Sequence, residues 1–555
     1  MTQHVPDDQP NIVLILADDM GFSDLGCYGS EIPTPNIDRL AGGGLRFSHM
    51  YNFARCCPSR AALLTGVNPH QAGIGHMTGG IPGFSQYQGF LRRDCVTVAQ
   101  VLQASGYRTC MSGKWHVGDN PDDPGGPDAS APRKRGFDRV FGIAGGCGSY
   151  FYCDNLWNDD EVVASERDGF YMTDAISDNA VKMIDESAAL GRPFFQYVAY
   201  TAPHWPLHAP EEAVARHVGK YRKGWDALRT ARHEEMKGLG ILDARWEISP
   251  RDEDVPAWDE AGNKEWEDLR MAVYAAQVEI MDAGVGRIMD RLRSLGIEEN
   301  TLVMFLSDNG GCAELLREDP AAASRKATPV PGATWTGDGR PVRVGNDPSL
   351  APGPEDTYAS YDVRWANVSN APFRRHKRWV HEGGISTPFI VRWPARIKQP
   401  GIVHEPAQLI DITATCISVA AAPYPAEHDG NSITPLEGES LLSVIEGGSW
   451  SRQQPMFWEH EGNRAVRTAQ WKLVSERGTP WELYDMDVDR TELNDLSDKN
   501  HEKAAELARL YDAWAERCGV QPWERIVGPG AWLKFGMQPG GGFTMHGKHG
   551  HVVPL

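Results

Sequence analysis

The sequence predicts an α/β protein with one large, mostly parallel central sheet carrying helices on both faces. A smaller C-terminal unit with an antiparallel sheet and a helix follows it. Three observations lead there. The runs 11–17 and 301–306 are apolar after their first residue, and 193–200 is apolar but for Gln196, as strands buried on both faces are. Helical patterns alternate with these runs, which is the order of a parallel sheet covered on both sides. After Pro423 the pattern changes to short alternating segments separated by turn residues.

Residues 11–17 end at Asp18-Asp19, placing two carboxylates at the carboxyl end of a central strand, the edge where open α/β sheets gather ligands. A helix over 34–42, a strand over 46–51 and a helix over 59–65 come next. Pro58 or Ser59 opens that last helix and Gly66 closes it. A helix over 97–104 precedes a strand over 107–112 that runs into Gly113-Lys114-Trp115-His116, and the run 193–200 delivers Thr201-Ala202-Pro203-His204. An amphipathic helix near 269–295 leads to the run 301–306, which ends at Ser307-Asp308-Asn309-Gly310. A strand over 387–393 and a helix over 411–420 complete the pattern.

Two stretches break the rhythm. Residues 206–266 are charged and rich in Trp and Arg, and read as a helical insertion. Residues 312–372 are rich in Gly, Pro and Asp and are expected to wall a pocket, since long irregular segments in compact domains are usually functional. Short strands over 456–460, 463–467 and 471–476, the segment 481–485 and a helix over 501–518 form the C-terminal unit. The expected division is 1–425, 426–527 and a Gly-rich tail 528–555. The tail carries His546, His549 and His551 and is expected to pack on the pocket or on a second subunit, and the second case would give a homodimer.

With 555 residues, 41% of them hydrophobic and 23% charged, the chain has the composition of a globular protein. Its net charge of −20 argues against nucleic acid as a partner. Ten cysteines include no C-x-x-C pair; Cys147 and Cys153 are close enough to bridge, but spacing alone does not pair them. No secretory signal and no membrane-length apolar stretch is seen, so the expectation is a cytoplasmic protein with mostly free thiols and no membrane partner.

The chemistry concentrates in Cys56-Cys57-Pro58-Ser59-Arg60-Ala61-Ala62-Leu63-Leu64-Thr65-Gly66. A cysteine at a helix start sits where unpaired N–H groups and the dipole favour an anion, and Arg60, four residues on, shares that face. Asp18, Asp19, Asp308 and Asn309 are hard oxygen donors at two strand ends, a set suited to Ca²⁺ or Mg²⁺ and not to Zn²⁺. Taken singly, each Asp reads as a cap or turn residue, a lysine as a solvated charge, and His49, His76 and His208 as structural groups.

The Cys56 segment reads Cys-x-Pro-Ser-Arg-x-x-x-Leu-Thr-Gly and resembles the signature of type I, arylsulfatase-like sulfatases. From Pro10 to about Asp498 the resemblance extends through 11–19, 34–38, 113–116, 135–138, 202–204, 307–310, Gly383-Gly384 and 483–485. It implies the alkaline phosphatase-like fold and a Cα-formylglycine made from Cys56 by a maturation enzyme. It also implies Asp18, Asp19, Asp308 and Asn309 as ligands of a metal, calcium before Mg²⁺ or Mn²⁺, together with the oxygen at position 56. By the same carry-over Lys114 touches nucleophile and sulfate, and His116 deprotonates the second hydroxyl. His204 lies beside the leaving oxygen, Lys377 binds sulfate, and Arg60 holds the diol. The match of Lys377 is the loosest, because Arg374, Arg375, His376 and Arg378 crowd the same segment.

The implied reaction is hydrolysis of a small-molecule sulfate ester, aryl before alkyl or sugar, since the variable segments are rich in Trp and Tyr. A phosphonate monoester or phosphodiester hydrolase of the same superfamily is the alternative, disfavoured because those relatives tend to carry a histidine where this chain has Asn309. A binding protein with unmodified Cys56 is the reading from a different class.

Overall fold

The computed structural model describes residues 9–81, 83–118, 130–316 and 335–527. Its main sheet has eleven strands. From one edge the path runs Gly401–Val403, Leu45–Tyr51, Ser386–Arg392, Thr301–Ser307, Asn11–Ala17, Phe194–Ala199, Arg108–Lys114, Arg139–Ile143, Leu156–Asn158 and Glu161–Val163, with Ala407–Gln408 also paired to Leu45–Tyr51. The five strands from Thr301–Ser307 to Arg139–Ile143 are parallel. The expected parallel character therefore holds at the centre. Ser386–Arg392 runs antiparallel to both neighbours, and the two short strands at the far edge also pair antiparallel.

The first strand shows why its run is unbroken. Ile12, Leu14 and Leu16 pack with Leu63, Leu64, Leu102 and Ile412 on one face. Val13, Ile15 and Ala17 pack with Ile176, Met281 and Val285 on the other. Side chains alternate across a strand, so a strand with helices on both sides points apolar residues to both faces. The helices Cys56–Thr65, Val98–Ala104 and Ile410–Val419 cover the first face; Pro35–Gly42, Met172–Ala189 and Lys264–Ser294 cover the second. The helix Pro35–Gly42 lacks a cap of its own. Asp282, from the long helix, accepts N–H bonds from Asn36 and Ile37 at 3.1 and 2.8 Å.

The segment 206–266 is helical in Glu211–Ala215 and Gly224–Gly238. The strands Met456–His460, Asn463–Arg467, Trp471–Ser475 and Glu482–Asp485 form a four-stranded antiparallel sheet. Val466, Leu473 and Leu483 on one face meet Leu507, Tyr511 and Trp514 of the helix His501–Cys518. Met456, Trp458, Ala465, Val474 and Tyr484 on the other face join the main core. All ten cysteines are free thiols, Cys147 and Cys153 included. Among the described residues no helix is long and apolar enough to cross a membrane. The tail 528–555, with its three histidines, lies outside the described residues.

Candidate active site

Sheet register assembles the site. Ala17 pairs with Ser307, so Asp18-Asp19 and Asp308-Asn309 leave the sheet side by side, and Asp308 N–H donates to the Ala17 carbonyl at 3.1 Å. The next parallel strands end at the same edge, Phe194–Ala199 leading to His204 and Arg108–Lys114 to His116. Asp19 and His116 take left-handed backbone angles, φ 66° and 57°, which turn both side chains at the point where the chain leaves a strand.

The cysteine helix begins at Cys56 itself, not at Pro58 or Ser59. Pro58 is accommodated in its first turn because the N–H it lacks would have no intrahelical partner there. The start after extended Arg55 leaves the N–H groups of the first turn without intrahelical partners. Gly66 closes the helix with φ 70°. The Cys56 side chain is buried.

Every sequence-predicted site residue converges here. Lys114 Nζ lies 2.5 Å from Asp18 Oδ2, and Lys377 Nζ lies 2.6 Å from Asp19 Oδ1. Lys377 is held there by its N–H bond to the Gly311 carbonyl at 3.2 Å, which ties its loop to the loop after Asn309. Arg60 Nε donates to Asp308 Oδ2 at 2.9 Å, and its Nη1 to the Lys114 carbonyl at 3.0 Å. Arg60 therefore braces the floor of the site. His204 Nδ1 donates to the Trp205 carbonyl at 2.6 Å, leaving Nε2 facing Asp19 Oδ2 at 3.3 Å. Cys56, Cys57 and His116 offer donor atoms within 4.8 Å of one another.

Charge and burial compete at each group. Burial pushes the Asp308 carboxyl up to about 8, with Asp18 adding to the rise and Arg60 opposing it. Burial also raises Asp18, whereas at Asp19 the nearby His204 and Lys377 outweigh burial and hold the carboxyl low. His116 and His204 are each driven down to about 4 by burial, so both rings are neutral at neutral pH. A hydrogen bond from Cys57 and the charge of Lys114 hold the Cys56 thiol well below its ordinary value.

The cluster fits a hard divalent cation. Asp18 Oδ1, Asp19 Oδ2 and Asn309 Oδ1 are buried and lack hydrogen-bond partners. Asn309 Nδ2 donates to Asp19 Oδ1 at 2.7 Å and to the Gly310 carbonyl at 2.9 Å, while its carbonyl oxygen stays unpaired. Orphaned buried oxygens converging from two strand ends are what an oxygen-ligated ion satisfies.

Comparison with known proteins shows the family. The family model for sulfatases matches residues 10–422, and the C-terminal model of N-sulphoglucosamine sulphohydrolase matches residues 374–513. The chain belongs to the sulfatase family. An uncharacterized sulfatase of Schizosaccharomyces pombe is 33% identical, covering 92% of this chain and 94% of its own. The arylsulfatase of Klebsiella aerogenes is 31% identical, covering 80% and 94%. A crystal structure of Ps i-CgsB with k-i-k-neocarrahexaose superposes with a TM-score of 0.64 at 26% identity, covering 91% and 92%. This sulfatase is thus a sulfuric ester hydrolase whose substrates are sulfate esters.

Several residues of the sulfatase site carry no sequence signal of their own. Buried Glu314 accepts from Arg55 Nη2 at 2.7 Å and from Trp205 Nε1 at 2.8 Å, linking the residue before Cys56 to the residue after His204. Gly146 lies against His116, and a Cβ there would stand 2.7 Å from the ring. Of the histidines read as structural, His49 bonds Ser48, and His208 bonds the Thr357 carbonyl. His76 meets Glu461 at 3.0 Å.

Proposed function

We propose that this sulfatase hydrolyses aryl sulfates, using a formylglycine made from Cys56 beside a calcium ion. The observation that carries the reading is the meeting of Cys56 with two lysines, two histidines and a set of orphaned oxygens at one sheet edge. Asp18, Asp19, Asp308 and Asn309 would hold the ion, which supplies Lewis acidity toward the sulfuryl group when bound. The hydrated aldehyde at position 56 supplies the attacking oxygen.

The chain's own residues do the rest. Lys114 and Lys377 neutralise sulfuryl oxygens in a site closed to water, where such contacts are strongest. Arg60 keeps Asp308 and the Lys114 carbonyl fixed beneath the nucleophile. His204 gives a proton to the departing phenol oxygen from Nε2, with Trp205 holding its other nitrogen. A bound anion raises the imidazole toward the protonated form that this step needs. His116, neutral through burial, then takes the proton of the remaining hydroxyl at position 56, and sulfate leaves. A narrow cleft that includes Gly145 and Cys147, the neighbours of Gly146, has mixed walls, with Ile143, Tyr152 and Met172 beside Ser149, Asn155 and Thr201. A maturation enzyme acting on Cys56 is the partner this reading requires.

Peptide mass spectrometry over 56–60, run beside turnover of an aryl sulfate and of an aryl phosphonate monoester, tests the reading. An aldehyde mass with sulfate turnover dominant and lost on chelation is expected. A wholly thiol Cys56 in fully active enzyme would overturn the mechanism.

A further inference from the structure

We propose that His76, His460 and Glu461 form a second metal site, for a borderline transition ion of the Zn²⁺ type, where the loop after the Cys56 helix meets the C-terminal sheet. Glu461 and Gly462 are the central pair of the hairpin joining Met456–His460 to Asn463–Arg467, with φ 54° and 84°. Both positive angles belong to the turn that matches strand twist. The turn stations the Glu461 carboxylate between two imidazoles, with Oε1 3.0 Å from His76 Nε2 and 3.6 Å from His460 Nε2. Donors bonded at about 2.0–2.1 Å to a tetrahedral ion stand about 3.3 Å apart, so the two separations bracket the required spacing. Donor atoms of all three residues lie within 4.8 Å of one another.

His460 provides the independent observation. The ring is 1% exposed, and neither of its nitrogens has a hydrogen-bond partner. A buried polar group left unpaired costs about 1–3 kcal/mol, and one in a native structure asks for an ion or a water. The other Glu461 oxygen accepts from Arg378 Nε, the kind of outer hydrogen bond that ligating carboxylates carry. Partly exposed His76 leaves a way in for the ion and a position for water as fourth ligand. Two imidazoles and a carboxylate select Zn²⁺ or Co²⁺, whereas the all-oxygen cluster at Asp18 selects a hard cation. The two sites therefore sort ions by donor chemistry, and this one stands whatever occupies position 56.

The test strips the full-length protein with a chelator, reloads it with excess Ca²⁺ and titrates Co²⁺. One equivalent should give the visible absorption bands of tetrahedral Co²⁺, displaced by Zn²⁺, retained in Asp19→Asn and abolished in His460→Gln. His76→Gln, at a partly exposed position, should weaken Co²⁺ binding at least about tenfold and covers the case in which the His460 variant fails to fold. Absence of the bands under saturating Ca²⁺, their survival in a folded His460→Gln or unchanged binding in His76→Gln, or their loss in Asp19→Asn would each overturn the assignment.

Discussion

Replacing Gly146 with alanine should slow the second half of the catalytic cycle while leaving the first nearly intact. The added Cβ would stand 2.7 Å from Cε1 and 2.8 Å from Nε2 of His116. Carbon atoms rest at about 3.5–4.0 Å, so the ring must retreat by roughly 0.8–1.3 Å. It cannot carry its backbone along, because His116 N–H is bonded to the Ala144 carbonyl at 3.0 Å. Gly146 does not occupy the left-handed region, so steric contact with the ring is the whole perturbation. A displacement near 1 Å costs on the order of 10²-fold in rate, about 3 kcal/mol of barrier. Stopped-flow release of a chromogenic phenol should show a near-normal burst of one equivalent followed by steady-state turnover lowered roughly 10- to 100-fold. Thermal unfolding should barely change. Steady-state turnover within twofold of the parent, or burst and steady state slowed equally, would refute the placement of His116 in the later step.

Four further outcomes follow from other parts of the structure. Asp19→Asn, or chelation of the parent enzyme, should abolish aryl-sulfate turnover, with re-added Ca²⁺ restoring the parent and not the variant. Glu314→Gln leaves buried Arg55 without its counter-charge and should cost about 3–5 kcal/mol, read from denaturant unfolding, with turnover lowered as Trp205 and His204 loosen. Asp282→Ala uncaps the helix Pro35–Gly42 and should cost about 1–2 kcal/mol in the same assay. His208, held down to about 4 by burial, is neutral in the folded protein and charges on unfolding below its ordinary value of 6.5. A depressed folded value gives stability that is full above pH 6.5 and lost as pH falls toward 4, so the melting temperature should decline across that window, and less steeply in His208→Gln.

The amino-acid sequence carried most of the site because its residues lie at strand ends, and strand ends are where apolar runs stop. Asn11–Ala17 and Thr301–Ser307 announce Asp18 and Asp308 in this way. Direction is different: an apolar run reads alike either way, so Ser386–Arg392 shows its antiparallel course only through its partners. The helix Met172–Ala189 escapes pattern reading because it starts at Tyr171 without a side-chain cap, and buried Thr173, Ser177 and Ser187 interrupt its apolar stripe. Glu314 and Gly146 matter only through neighbours far off in the chain, Arg55 and Trp205 for one and His116 for the other. Local pattern cannot carry such information.

The seam between the C-terminal sheet and the main core also sets a clock. Trp458 Nε1 donates to the Asn52 carbonyl at 2.7 Å, fastening the segment that leads into Cys56 with a residue made 402 positions after it (458 less 56). Cys56 is 1% exposed once that seam closes. A maturation enzyme of the kind proposed for Cys56 would have to reach that side chain before the seam closes. At roughly 5–20 residues per second the ribosome takes about 20–80 s to reach Trp458. On the proposed reading the yield of active enzyme would be a race between modification and synthesis, and slowing translation should raise the converted fraction without any change in the mature fold.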